Sequence, residues 1–194
     1  MNFKHATGLT TLTIASLTTP TLAFAHPGHD HGSHSLVSGL THPVTGVDHL
    51  IMLVAFGMLI GALSYSNKIK SALVGGGLVS LMAGLLVGQA MGFSVVVEPA
   101  IIASLFVVSL CLWHVFSPST TKVNSVLAVS IGFLFFHGYA HGVEAASGLA
   151  QFAAGMGVSA LGLMGVGYVA GKALYSKWAS LGVASLSALF LMAA

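Results

Sequence analysis

Two short segments carry most of the chemistry open to this chain: His42-Pro43-Val44-Thr45-Gly46-Val47-Asp48-His49 and His137-Gly138-Tyr139-Ala140-His141-Gly142-Val143-Glu144. Both combine imidazole nitrogens with a carboxylate. Such a donor set, with no thiolate beside it, suits Ni²⁺, Co²⁺, Zn²⁺ or Cu²⁺ rather than Mg²⁺ or Ca²⁺. On a helix turning by about 100° per residue, His137, His141 and Glu144 fall at about 0°, 40° and −20°, one stripe over two turns. His42 and His49 align to within about 20° if their segment is helical throughout. Pro43 fits the first helical position, where its missing N–H costs nothing, with an extended turn folding His42 back. Asp48 lies about 100° from His49, so it either faces another neighbour or orients an imidazole. An acidic group inside a membrane span costs about 3 kcal/mol and normally faces a partner or a wet cavity.

Other candidates surround this set. His26, His29, His31 and His34 form a loose metal-gathering stretch ahead of the first segment, and Glu98 is a further carboxylate at a helix start. His114 is read as structural. Met52, Met58 and Met91 are read as packing residues rather than soft ligands.

The elements that must position these groups follow from composition. Of the 194 residues 5% are charged and 56% are apolar, where a soluble domain carries roughly 25% charge. A water-soluble globule is excluded, because its surface could not be made polar. A net charge of +2 from scattered lysines excludes a nucleic-acid binder, which needs a basic patch against phosphates. The single cysteine, Cys111, excludes an internal disulfide framework.

Residues 1–25 read as a cleaved signal peptide: Lys4, a mildly apolar stretch, Pro20, then the small-x-small site Ala23-Phe24-Ala25. Residues 26–41 have no hydrophobic periodicity and read as a His-rich periplasmic arm. The remainder, 42–194, is divided by isolated charges into long apolar stretches near the ~20 residues that cross a bilayer as a helix. The expectation is an all-α, polytopic membrane protein, a bundle of six transmembrane helices at 44–65, 71–92, 96–116, 124–143, 148–170 and 176–193. Lys68, Lys70, Lys122, Lys172 and Lys177 all fall in alternate loops. The positive-inside bias therefore predicts a cytoplasmic face for them and a periplasmic mature N-terminus, in the inner (plasma) membrane. Both histidine segments and Glu98 then share the periplasmic face. Glycines four apart (Gly57/Gly61, Gly84/Gly88/Gly92, Gly138/Gly142, Gly167/Gly171) predict close helix packing and no chemistry.

At the two histidine segments the chain resembles the HupE/UreJ family of hydrogenase- and urease-accessory membrane proteins, regarded as secondary nickel or cobalt permeases. The resemblance rests on His42-Pro43-x-x-Gly46-x-Asp48-His49 followed by Met52, and on His137-Gly138-x-Ala140-His141-Gly142-x-Glu144. It covers the whole mature chain, and it implies metal-handling roles for His42, Asp48, His49, His137, His141 and Glu144. The His26–His34 stretch lies outside the family's core pattern. The function implied is import of Ni²⁺ or Co²⁺, with Zn²⁺ an alternative, for metalloenzyme maturation or cobalamin. The expected partners are that ion and the lipid bilayer, with no resident cofactor, no enzyme activity and no nucleic acid; a homo-oligomer is compatible with the sequence. Two other readings share the same residues: an intramembrane zinc-dependent hydrolase, and a metal-binding membrane sensor or scaffold.

Imidazole must lose its proton to bind metal, so uptake is expected to be weaker at about pH 5 than at about pH 7.5. Radiometal uptake that does not change over that range contradicts imidazole ligation.

Overall fold

A computed structural model describes residues 35–144 and 148–193. The expected signal peptide and the His26–His34 stretch lie outside the described residues. Seven α-helices follow in order: α1 (Ser35–Thr45), α2 (Val47–Ala62), α3 (Asn67–Met91), α4 (Val97–His114), α5 (Thr120–Glu144), α6 (Leu149–Leu174) and α7 (Ala179–Ala193). No strand occurs among the described residues. Residues 35–41, placed by the sequence in the arm, are thus the first turns of a helix.

Four helices, α3 to α6, are long and apolar enough to cross a bilayer. Helix α6, at 26 residues, rises about 39 Å against a hydrocarbon core of about 30 Å. This is a multi-pass membrane protein. The count of six is not met by length. Helices α1 and α2 are bent 76° apart and make a fifth span only if taken together, and α7 has 15 residues, about 22 Å. Isolated charges marked where apolar stretches end; they carried no information on where a helix breaks inside one.

Helix α2 occupies the centre. It is apolar all round, the mark of a fully surrounded helix, and Met52, Phe56, Leu59 and Ile60 are fully buried. Helices α4 and α6 flank it, and α3 packs on α5. Met58 is buried with the core, whereas Met91 is exposed.

Glycine makes these pairings close. A Cβ on Gly57 or Gly61 would collide with the backbone of α6 at Met164 and Tyr168, and one on Gly167 or Gly171 with the backbone of α2 at Val54 and Met58. The same reciprocity joins α3 to α5: Gly84 and Gly88 meet the backbone at Phe135 and Tyr139, while Gly138 and Gly142 meet Leu81 and Leu85. Gly39 of α1 and Gly155 of α6 form a third such contact. In lipid, where hydrophobicity does not drive helices together, this close van der Waals approach does. Gly92 plays another part: at φ +73 it has nothing near its Cβ position and ends α3, its N–H bonding the Gly88 carbonyl at 2.9 Å.

Three lysines lie over aromatic rings. Lys70 and Lys172 lie 5.3 and 5.6 Å from the Tyr168 ring centre, and Lys177 lies 4.7 Å from that of Trp113. Tyr65 O–H reaches Asn124 Oδ1 at 3.2 Å, tying the α2–α3 turn to the start of α5.

Two glycines of α5 test this packing. Gly138→Ala is expected to destabilise by about 1–3 kcal/mol, since its methyl would enter the α3 backbone. Gly132→Ala, with open space at its Cβ, is expected to stabilise by about 0.5–1 kcal/mol through helix propensity. Thermal unfolding in detergent checks both; equal effects would remove the glycine contact as the cause.

Candidate metal centre

The first wall of the site is the corner between α1 and α2. Gly46 there takes φ −76 and ψ 105, leaving the helical region. Its N–H still bonds the His42 carbonyl at 2.8 Å, and its own carbonyl accepts from Leu50 N–H at 2.9 Å, so the turn is closed on both sides. Pro43 lies within the last turn of α1 rather than opening α2, and having no N–H it leaves a ladder bond unmade just before the break. The consequence for the site is direct. Seven residues along a straight helix separate two groups by about 10.5 Å. Here the His42 and His49 ring centres are 5.7 Å apart. A Cβ at Gly46 would lie 3.2 Å from His49 Nδ1 and 3.3 Å from Asp48 Oδ1, so the glycine leaves room for the residues it flanks.

The second wall is α5. His137 and His141 are each 1% exposed and sit on the stripe expected of them, one turn apart. The adjacent row, Gly138 and Gly142, is the face pressed on α3. That contact sets the rotation of α5 and therefore the direction of both imidazoles. Tyr139 O–H adds a bond to the Gly92 carbonyl at 2.9 Å, fastening α5 to the end of α3.

The walls meet at His49. Its ring centre is 4.3 Å from that of His141 and 4.7 Å from that of His137. His42 completes the group, 4.3 Å from His141. Donor atoms of His42, His49 and His141 all lie within 4.8 Å of one another, and so do those of Asp48, His49 and His137. Asp48 Oδ1 is 2.9 Å from His49 Nδ1. Of the two readings left open for Asp48, it therefore contacts the neighbouring imidazole. His49 Nε2 and His137 Nδ1 are buried without a hydrogen-bond partner. An unsatisfied buried polar atom costs about 1–3 kcal/mol and calls for an explanation. A cation shared between the donors supplies one: two overlapping three-residue sets of mainly imidazole nitrogen match the preferences of a borderline divalent metal.

Of the other expected residues, Glu98 and His114 stand apart from the cluster. Glu98 is exposed at the start of α4 and belongs to neither donor set. Glu144 ends α5, but its side chain lies outside the described residues, as do His26, His29, His31 and His34. His114 is half-buried at the far end of α4. Two contributors escaped the sequence. Phe152 of α6 lies against His141, with ring centres 5.8 Å apart. Ser104 of α4 reaches His137 Nε2 at 2.8 Å. A serine in an apolar run looks like any small packing residue; only its placement opposite a buried imidazole distinguishes it.

The corner generates a prediction. Gly46→Ala puts a methyl 3.2–3.3 Å from the Asp48 and His49 donor atoms, and ligand distances matter to about 0.2 Å. Co²⁺ affinity by titration calorimetry is expected to fall about tenfold with helix content by circular dichroism unchanged. Unaltered affinity would mean that the corner does not set the donor positions.

Comparison with known proteins agrees with the motif resemblance. The family model described as "HupE / UreJ protein" matches residues 14–194. A protein of Rhizobium leguminosarum bv. viciae named "Protein HupE" is 29% identical over 136 residues, 69% of this chain and 66% of that one. The chain thus spans just under two thirds of that relative's length. No solved structure matches. On the family match over nearly its whole length, the chain belongs to the HupE/UreJ family.

Proposed function

We propose that the protein imports Ni²⁺ or Co²⁺ across the inner membrane, with His42, Asp48, His49, His137, His141 and Glu144 as the site that captures the ion. The observation that carries this reading is the overlap of the two donor sets at His49. His42, partly exposed, meets the arriving ion. His137, 1% exposed, lies on the buried side. His49 belongs to both sets, so an ion can exchange His42 and His141 for Asp48 and His137 without ever losing all its ligands. A divalent ion entering lipid must replace its water. Imidazole nitrogens replace it with donors that favour nickel and cobalt over magnesium and calcium, and carboxylate offsets part of the charge.

Orientation and drive follow from the same arrangement. All five lysines after the signal segment lie at or beside alternate connections between helices, which favours a cytoplasmic face for that end and a periplasmic face for the histidine end. Two positive charges moving inward through 100 mV gain about 4.6 kcal/mol, roughly three decades of accumulation. The supply would serve the maturation of nickel or cobalt enzymes.

Proteoliposome uptake of radioactive nickel, with cobalt and zinc in competition, tests the reading. Wild type is expected to accumulate nickel under an inside-negative potential. His49→Ala and His137→Ala are each expected to lose about 10- to 100-fold of that flux, the scale on which a metal site responds to the loss of its supporting groups. Equal flux in all three proteins would remove the site from transport.

A further inference from the structure

Beyond the motif residues, the contacts of Ser104 decide which nitrogen His137 can offer. Ser104 is fully buried on α4. Its Oγ lies 2.6 Å from the Ile101 carbonyl oxygen and 2.8 Å from His137 Nε2. A carbonyl only accepts, so the one hydroxyl proton is donated to Ile101. Towards His137 the same oxygen can then act only as acceptor, and Nε2 must carry the hydrogen. A neutral imidazole with its proton on Nε2 has its lone pair on Nδ1. In this structure His137 Nδ1 is buried without a hydrogen-bond partner, on a ring whose centre is 4.7 Å from that of His49.

We propose that Ser104 is a positioning residue: it locks His137 in the Nε2-protonated tautomer and so presents Nδ1 as the donor to the site. That Nδ1 then meets a metal ion rests on the function proposed above; the tautomer itself does not. Ser104 thereby holds Nε2 of His137 and leaves Nδ1 as the donor. Partners on the far nitrogen fix the tautomer and orientation of a ligand histidine in this way, and their loss typically costs 10- to 100-fold in metal affinity. Ser104 thus links α4, which contributes no motif residue to the cluster, to the donor geometry between α2 and α5.

The test uses the full chain in nanodiscs, metal-free, at about pH 8, where an ordinary imidazole is neutral. Nitrogen NMR with ¹⁵N-labelled histidine rings distinguishes protonated from lone-pair nitrogens, and the His137 signals are assigned by their loss in His137→Gln. Wild type is expected to show a protonated Nε2 and a bare Nδ1. Ser104→Ala, which removes one oxygen and adds no bulk, is expected to shift His137 towards the Nδ1-protonated form and to weaken Ni²⁺ binding about 10- to 100-fold. The control Ser187→Ala removes another fully buried hydroxyl, bonded only to the Val183 carbonyl at 2.8 Å, and should change neither readout. A protonated Nδ1 in wild type, or the same His137 spectrum with and without the Ser104 hydroxyl, overturns the proposal. The expected spectra in a protein that binds no nickel, cobalt or zinc would uphold the tautomer lock and overturn the transport reading alone.

Discussion

Backbone-to-backbone contact through glycine is the constraint on which the site depends. Imidazoles on α5 point into the bundle because the neighbouring row, Gly138 and Gly142, is pressed against the backbone of α3. Rotating α5 by one residue, about 100°, would trade that contact for side-chain bulk and carry His137 and His141 away from His49. The same device acts on the other wall. Helix α6 holds α1 through Gly39 and Gly155 and holds α2 through Gly57, Gly61, Gly167 and Gly171. One continuous helix thus grips both arms of the bent pair, which fixes the 76° corner that returns His42 to the cluster.

That rigidity suits what the cluster contains. Within this apolar bundle, nitrogens of His49 and His137 are buried without a hydrogen-bond partner, a cost that looser helices would relieve by letting in water or turning the rings outward. A bundle unable to relax keeps the donors aimed inward. Binding an ion then needs little rearrangement, since the ordering has been done by the fold. Asp48 matters because it is a carboxylate in contact with the central imidazole: it adds negative charge where a cation would sit.

Much of this was legible in the sequence. The His137/His141 stripe followed from four-residue spacing, and the glycine pairs read correctly as close contacts because small residues at that interval have one strong use in lipid. Helices α3 to α6 fall on the second to fifth apolar stretches. The break at Gly46 was not legible. Pro43 looked like a helix start, since local rules favour it there; the structure keeps it within the last turn of α1, in a corner that α6 clamps from 110 residues further along the sequence. Length supports four or five spans rather than all six, for a related reason. Charges delimit apolar segments but do not say whether a segment is bent or, like α7, stops short. Ser104 was invisible because a buried hydroxyl gains meaning only from the ring opposite it, which lies on another helix.

The most direct test of the central claim, that imidazoles from α1, α2 and α5 converge on one divalent ion, is X-ray absorption at the metal edge of the nickel- or cobalt-loaded protein. Convergence requires a first shell containing at least three imidazole nitrogens at about 2.0–2.1 Å (the range typical of a metal–imidazole bond in zinc sites), with the count falling in both His42→Ala and His141→Ala. A shell of oxygen alone, or an imidazole count that neither substitution changes, would contradict it.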